Sequence, residues 1–121
     1  MQYLLLIYGD EANGWESLSE EEQGEIFQAY GTYTEELEKS GAMVGGNALQ
    51  PTQTATTVRV RNDETLTTDG PFAETKEQLG GYYLVEVDSE DEALDWAAKI
   101  PSARYGRIEV RPIVDYSGSE A

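Results

Sequence analysis

Short apolar runs along this 121-residue chain alternate with two segments of helical period. The first run, QYLLLIY from Gln2 to Tyr8, is apolar at both odd and even positions. Residues 82–85, Tyr-Tyr-Leu-Val, show the same pattern. Because neighbouring side chains of a strand point to opposite faces, both runs predict strands that are covered on two sides. The pattern therefore predicts a sheet with two buried faces.

The first helical segment has the sequence SLSEEEQGEIFQAYGTYTEELEKSG. Ser19 and Glu22 predict a capping box at its start, and Ser17 with Glu20 offers a competing one. Gly41 is placed to end the helix in a left-handed conformation. The predicted buried face consists of apolar residues three or four positions apart: Ile26, Tyr30, Tyr33 and Leu37.

The second helical segment, DSEDEALDWAAKIP, is shorter. Ser89 and Glu92 again form a capping-box pair, and Pro101 marks the end. Its predicted buried face contains Ala93, Trp96, Ala97 and Ile100.

The remaining segments predict four more strands. AMVGGNALQP is a strand bent at its glycine pair, and residues 54–68 form a hairpin around the turn sequence NDE. RIEVRPIV is a last strand, whose Pro112 indicates an edge or an end. The order is strand, helix, strand, hairpin, strand, helix, strand. This order predicts an α+β fold, a ferredoxin-like βαββαβ plait with an extra β-hairpin.

Two helices can cover only one face of such a sheet. The other apolar face then needs a second cover, and the simplest one is a second copy of the chain packed sheet to sheet. A lid made by the hairpin is the rival cover. The sequence therefore predicts a homodimer.

Composition limits the chemistry that this protein can perform. The chain contains no cysteine and no histidine, which excludes disulfides, cysteine nucleophiles and Ser-His-Asp machinery. We expect no metal site and no cofactor. Acid–base chemistry would rest on carboxylates, tyrosines or lysines whose pKa is moved toward neutrality.

Charge and hydropathy limit the partners. The formal net charge is −16, which disfavours nucleic acid and anionic membranes as partners. No apolar run approaches the roughly 20 residues of a membrane span, and the first residues lack the features of a signal peptide. We expect a cytoplasmic protein with one domain over residues 1–114 and a flexible tail over 115–121.

The stretch TDGPFAETKEQLGGYY, residues 68–83, contains the candidate site. A structural interpretation explains Asp69 as a turn aspartate that accepts a backbone hydrogen bond, before a short helix opened by Pro71. A functional interpretation places the Asp69 carboxylate at the mouth of a pocket, where it could remove a proton next to a carbonyl. Asp69 is the candidate catalytic residue. The candidate binding residues are Tyr8, Phe72, Glu74, Lys76, Gly80, Gly81, Tyr82 and Tyr83.

Each of these residue types also has a plain structural use. Gly80 and Gly81 are typical of a bulge at the start of a strand. The tyrosines, with Tyr105, are typical of core or rim packing. Arg107 and Arg111 share a strand face with Glu109, so salt bridges are the ordinary interpretation and an anionic substrate is the alternative.

The segments YLLLIYGDE, GGNALQP, TATTVRVR and the long run that begins TDGPFAETKEQLGGYYLVEV together resemble the YCII-related family, in the branch named for its D-G-P-F motif. The resemblance covers Tyr3 to about Val114. It implies a dimeric α+β barrel that holds small organic molecules between sheet and helices. The histidine–aspartate pair suspected in the family cannot form here, because histidine is absent. Asp69 is the acid that the resemblance carries over.

Two functions remain open at this point. One is a homodimer that binds a small molecule in a cleft near the D-G-P-F loop, with possible carboxylate-based acid–base chemistry. The other is a non-enzymatic regulatory or accessory protein, since the resemblance also implies a link to extracytoplasmic-function sigma factor systems. The sequence leaves open whether the protein is an enzyme.

Overall fold

Six strands and two helices form a mixed α+β fold in the computed structural model, which describes residues 1–71 and 75–116. Three short 3₁₀ turns join them. Within the described residues, the strands and helices are β1 (Gln2–Gly9), α1 (Glu20–Ser40), β2 (Met43–Ala48), β3 (Thr56–Arg61), β4 (Glu64–Asp69), β5 (Gln78–Glu86), α2 (Glu90–Ala98) and β6 (Arg107–Pro112).

Four strands form one antiparallel sheet in the order β2-β5-β1-β6. At its centre, Leu5 of β1 pairs with Tyr83 of β5 on one side and with Val110 of β6 on the other. β6 lies at an edge and its last residue is Pro112, where a missing N–H costs no ladder bond. β3 and β4 form a separate two-stranded sheet, paired from Thr56–Asp69 to Arg61–Glu64.

Both helices lie on one face of the four-stranded sheet, and the hydrophobic core lies between the helices and the sheet. Leu5, Leu37, Val85 and Ile100 are almost completely buried there. Tyr33 sits at the centre of an aromatic group and meets Tyr83 and Trp96 edge to face. The complete buried set is Tyr3, Leu5, Tyr33, Leu37, Ala42, Tyr83, Val85, Val87, Ala93, Ala97 and Ile100.

The ends of α1 follow the local signals of the sequence. The hydroxyl of Ser19 accepts the N–H of Glu22 at 3.1 Å, and the carboxylate of Glu22 accepts the N–H of Ser19 at 3.0 Å. The competing box does not form, because the Ser17 hydroxyl donates to carbonyl groups before the helix. Gly41 ends the helix with φ 84°. The capping interactions satisfy backbone groups that the helix itself leaves unpaired.

In the described part of the chain, no helix lies over the opposite face of the four-stranded sheet. Its apolar side chains come from β1 and β5 and are half-buried: Leu4 faces Leu84 and Leu6 faces Tyr82 across the two strands. We call this surface, defined by Leu4, Leu6, Tyr8, Tyr82 and Leu84, the open face.

Two glycines within α1 are not needed for packing. A Cβ atom placed on Gly31 would have no atom within 4 Å. We expect Gly31→Ala to raise the free energy of unfolding by about 0.5–1 kcal/mol, because alanine loses less backbone entropy in a helix. Urea denaturation measures the change. Gly41→Ala is the matched control: its left-handed φ of 84° should make the same substitution destabilising.

Candidate functional site

The start of the D-G-P-F motif closes the base of the hairpin. Asp69 is the last residue of β4 and is exposed. Gly70 follows with φ 95°, its N–H donates to the carbonyl of Ala55 at 2.6 Å, and its carbonyl accepts the hydroxyl of Thr57 at 2.8 Å. These bonds explain Gly70 as the corner residue at the base of the hairpin. Phe72, like Glu74, lies outside the described residues.

The tyrosines of the candidate site lie on two different faces of the sheet. Tyr8 and Tyr82 are on the open face, where the side-chain amide of Asn47 donates to the Tyr82 hydroxyl at 2.9 Å. Tyr83 is in the core under the helices, and its hydroxyl is 2.7 Å from that of Thr34. Burial raises the pKa of Tyr83 above its ordinary value. Tyr83 therefore cannot share a pocket with Tyr82.

The two candidate glycines sit where β5 enters the sheet. The pairing of β1 with β5 shifts by one residue at Gly80. This shift is a β-bulge, which a glycine pair often marks. A Cβ atom on Gly81 would lie 3.0 Å from the carbonyl oxygen of Asn47 on the next strand. Close strand approach thus explains Gly81 without a ligand.

Lys76 lies near the loop that follows β1. The Asp10 carboxylate accepts the N–H groups of Ala12 and Asn13 at 3.1 and 3.0 Å. The backbone N–H of Asn13 is the main reason why the pKa of Asp10 is below its ordinary value, and the positive charge of Lys76 adds to it. Lys76 therefore lies within electrostatic reach of the loop that follows β1.

Glu11 is a structural acid that sequence reasoning missed. Its carboxylate accepts both the N–H and the hydroxyl of Thr52, at 3.0 and 2.7 Å, and its own N–H donates to the side chain of Gln78. The carboxylate fixes the segment that leads into the hairpin. No local pattern marks this contact, since Glu11 and Thr52 are 41 positions apart.

The arginines of β6 make the salt bridges expected of them. Arg111 donates to Glu109 at 2.7 Å on the same strand face, and Arg107 is 3.7 Å from the carboxylate of Glu77. Both arginines are exposed. These pairs leave the edge of the open face close to electrical balance.

Charge is distributed unevenly between the two layers of the protein. α1 carries seven glutamates and one lysine, and α2 carries four acids and no base, so the helices have a net charge of −10. The four strands of the large sheet carry two arginines and two glutamates and are neutral. The open face is thus apolar at its centre and has no net charge, because the two arginines of β6 and the glutamates Glu86 and Glu109 on the same face balance each other.

A groove of about 750 Å³ lies on the helical side, between α1 and the segment after α2. Sequence reasoning missed it, because its walls come from parts of the chain that are far apart. Its floor includes Ile26, Ala29 and Tyr33, and its far wall includes Lys99 and Arg104. It lies away from the hairpin corner.

In the part of the chain that the structure describes, no group of three or more acidic residues is arranged to hold a metal ion. No helix in the described ranges is long and apolar enough to cross a membrane.

The chain is thus a two-layer α+β protein. One layer is the four-stranded sheet and the other is the pair of helices, and the hairpin is inserted before the third strand of the sheet. Residues 1–117 match the YCII-related domain. The chain is also 39% identical to an uncharacterised protein of Rhizobium meliloti (strain 1021), over 99% of this chain and 98% of that protein. The chain belongs to the YCII-related family.

Proposed function

We propose that this protein works as a homodimer that binds a small organic molecule in a cleft at the hairpin end of the open face. The observation that carries the proposal is the open face itself. Leu4, Leu6 and Leu84 are half-buried in the single chain, and the strands around them are electrically neutral. A chain of net charge −16 can approach its own copy most easily through this surface.

The proposed fold of each subunit is the ferredoxin-like plait, with the hairpin as an insertion. The strand order β2-β5-β1-β6 supports it. In each β-α-β unit the two strands are separated by one antiparallel strand: β5 lies between β1 and β2, and β1 lies between β5 and β6. Membership of the D-G-P-F branch and a cytoplasmic location are part of the same proposal.

Asp69 is the proposed acid of the cleft. It is exposed and rigidly placed, since both strands of the hairpin base are tied together next to it by the bond between Gly70 and Ala55. A rigid carboxylate at the mouth of an apolar cleft would suit proton removal beside a carbonyl. Tyr8 and Tyr82 are the hydroxyl groups of the open face.

The dimer is tested by light scattering on Leu6→Lys. The wild type should have twice the mass of one chain at micromolar concentration. The variant should dissociate at least about tenfold more easily, because a lysine replaces an apolar contact at the centre of the interface. Leu94→Lys is the matched control: Leu94 is 45% exposed on α2, and its replacement should leave the dimer intact. A monomeric wild type would refute the proposal.

The role of Asp69 is tested by Asp69→Asn, which keeps the size of the side chain. We expect the free energy of unfolding to change by no more than about 0.5 kcal/mol, as for other exposed positions. Small carbonyl compounds that raise the melting temperature of the wild type should fail to do so for the variant. Asp63→Asn, in the turn of the same hairpin, should respond as the wild type does. A large loss of stability with an unchanged ligand response would make Asp69 structural.

The alternative is a regulatory accessory protein that binds a protein partner through the open face. The same apolar surface favours it, and the mass measurement separates the two. A stable wild-type monomer with the open face accessible supports a foreign partner, whereas a dimer supports the first proposal.

A further inference from the structure

Among residues 1–71 and 75–116, nothing covers one side of the β3–β4 hairpin. Within these ranges its strands pair only with each other, around a turn at Asn62 and Asp63 with positive φ angles of 52° and 64°. A two-residue turn with positive φ angles matches the right-handed twist of the two strands that it joins. A hairpin of two strands alone is marginally stable in water and gains stability by packing against another surface. The hairpin therefore needs a surface that the single chain does not supply.

The two faces of the hairpin differ in character. The register puts Val58 and Val60 of β3 on one face, with Thr65 and Thr67 opposite them on β4, and Asp69 lies at the base of the same face. We call this the inner face. The other face carries Arg59, Arg61, Glu64 and Leu66. Val58 and Val60 are 58% and 56% exposed, so the hairpin is not a closed lid over its own sheet.

Hydrogen bonds fix the base of the hairpin, and its two strands extend from this base. Glu11 holds Thr52 before β3 through two hydrogen bonds, and Gly70 after β4 donates to Ala55. Strands of six residues extend about 20 Å from this base. The hairpin is thus an arm with a fixed origin at the β1 end of the sheet.

We propose that this arm lies against the open face of a second copy of the chain, with Val58 and Val60 toward it. The inference rests on the proposed homodimer and deepens it. Charge selects the surface: beyond Asp69 at its base, the inner face is uncharged and suits the neutral open face, whereas the helices of a second copy carry −10. The arginines of the opposite face stay in water, which costs nothing in desolvation.

The size of the open face also favours this occupant. Four strands of about six residues have a projected area of roughly 400 Å². Each partner in a stable interface buries roughly 800 Å² of accessible surface. The inner face of the arm adds roughly 200 Å² of projected area on each side of the dimer. Arms exchanged between two copies thus bring a small interface closer to the size that stable dimers have.

Exchange of the arms would make the cleft composite. Asp69 and Gly70 stand at the origin of the arm, next to the surface that the arm crosses. Tyr8 and Tyr82 of the second copy belong to that surface by symmetry. The two copies would then supply the acid and the hydroxyl groups of one cleft, and a single chain would lack half of it.

Photochemical cross-linking from the arm tests the proposal. The chain has no cysteine, so Thr65→Cys gives a single attachment point for a maleimide–benzophenone probe on the inner face near the tip. Heavy-isotope-labelled and unlabelled copies are mixed, so that a link between two chains has a mixed mass. We expect mixed-mass links that end in β1 or β5. Gln28→Cys, exposed on α1, is the control and should give none to these strands.

The outcomes separate the arm from the dimer. A dimer whose Thr65→Cys probe links only within its own chain would overturn the arm and leave the sheet-to-sheet dimer standing. Mixed-mass links that end outside β1 and β5 would overturn the open face as the surface under the arm. A wild-type monomer would overturn both.

A pair of conservative substitutions gives an independent measurement. Val58→Thr with Val60→Thr keeps the shape and strand preference of both residues but removes apolar surface. We expect the dissociation constant of the dimer to rise at least tenfold. Val44→Thr, at a valine of similar exposure on β2, should change it less than threefold. Equal effects of the two changes would overturn the arm.

Discussion

Replacement of Leu5 by alanine is expected to lower the free energy of unfolding by about 2–5 kcal/mol. Leu5 is completely buried and stands at the centre of β1, between Tyr83 on one side and Val110 on the other. Its removal leaves a cavity that strands paired on both sides cannot close. Urea denaturation should show a lower midpoint with an unchanged slope.

Leu94 provides the matched comparison for Leu5. It is 45% exposed on α2, so Leu94→Ala removes little buried surface and should cost less than about 1 kcal/mol. Equal losses at the two leucines would contradict the placement of the core under the helices.

Replacement of Gly106 by alanine is expected to cost about 3 kcal/mol or more. An added Cβ atom would lie 2.0 Å from the carbonyl oxygen of Tyr8, and this atom belongs to backbone that cannot rotate away. The clash would separate the start of β6 from β1, where Tyr8 pairs with Arg107. Thermal unfolding followed by circular dichroism measures the loss.

Gly9 is the control for Gly106, because it lies next to the same contact. A Cβ atom on Gly9 meets nothing within 4 Å, and its φ is not in the left-handed region. Gly9→Ala should therefore change stability by less than about 1 kcal/mol. A large loss at Gly9 would show that the backbone around β1, and not the approach at Gly106, is sensitive.

Local signals account for most of what the sequence predicted about the fold. The capping box of Ser19 with Glu22 and the left-handed end at Gly41 formed as expected, because each depends on residues a few positions apart. The hairpin also formed, with its turn at Asn62 and Asp63. Apolar period alone placed Tyr33 and Leu37 in the core.

The candidate site was harder to predict, because it depends on contacts between distant segments. No local sequence pattern marks the hydrogen bonds from Thr52 to Glu11 or the groove beside Tyr33. One signal was available and was not used: alternation along β5 places Tyr82 and Tyr83 on opposite faces, so they could never line one pocket. The roles of Asp69 and Lys76 stay predictions.

The uneven charge of the two layers gives each chain a large electric dipole moment, directed across the sheet from the acidic helices to the neutral open face. A chain that adsorbs to a positively charged support is then held by its helical side. Its open face and its hairpin point away from the support and stay accessible. Immobilisation by charge alone would therefore present copies of this protein in one orientation, with the surface proposed for pairing toward the solution.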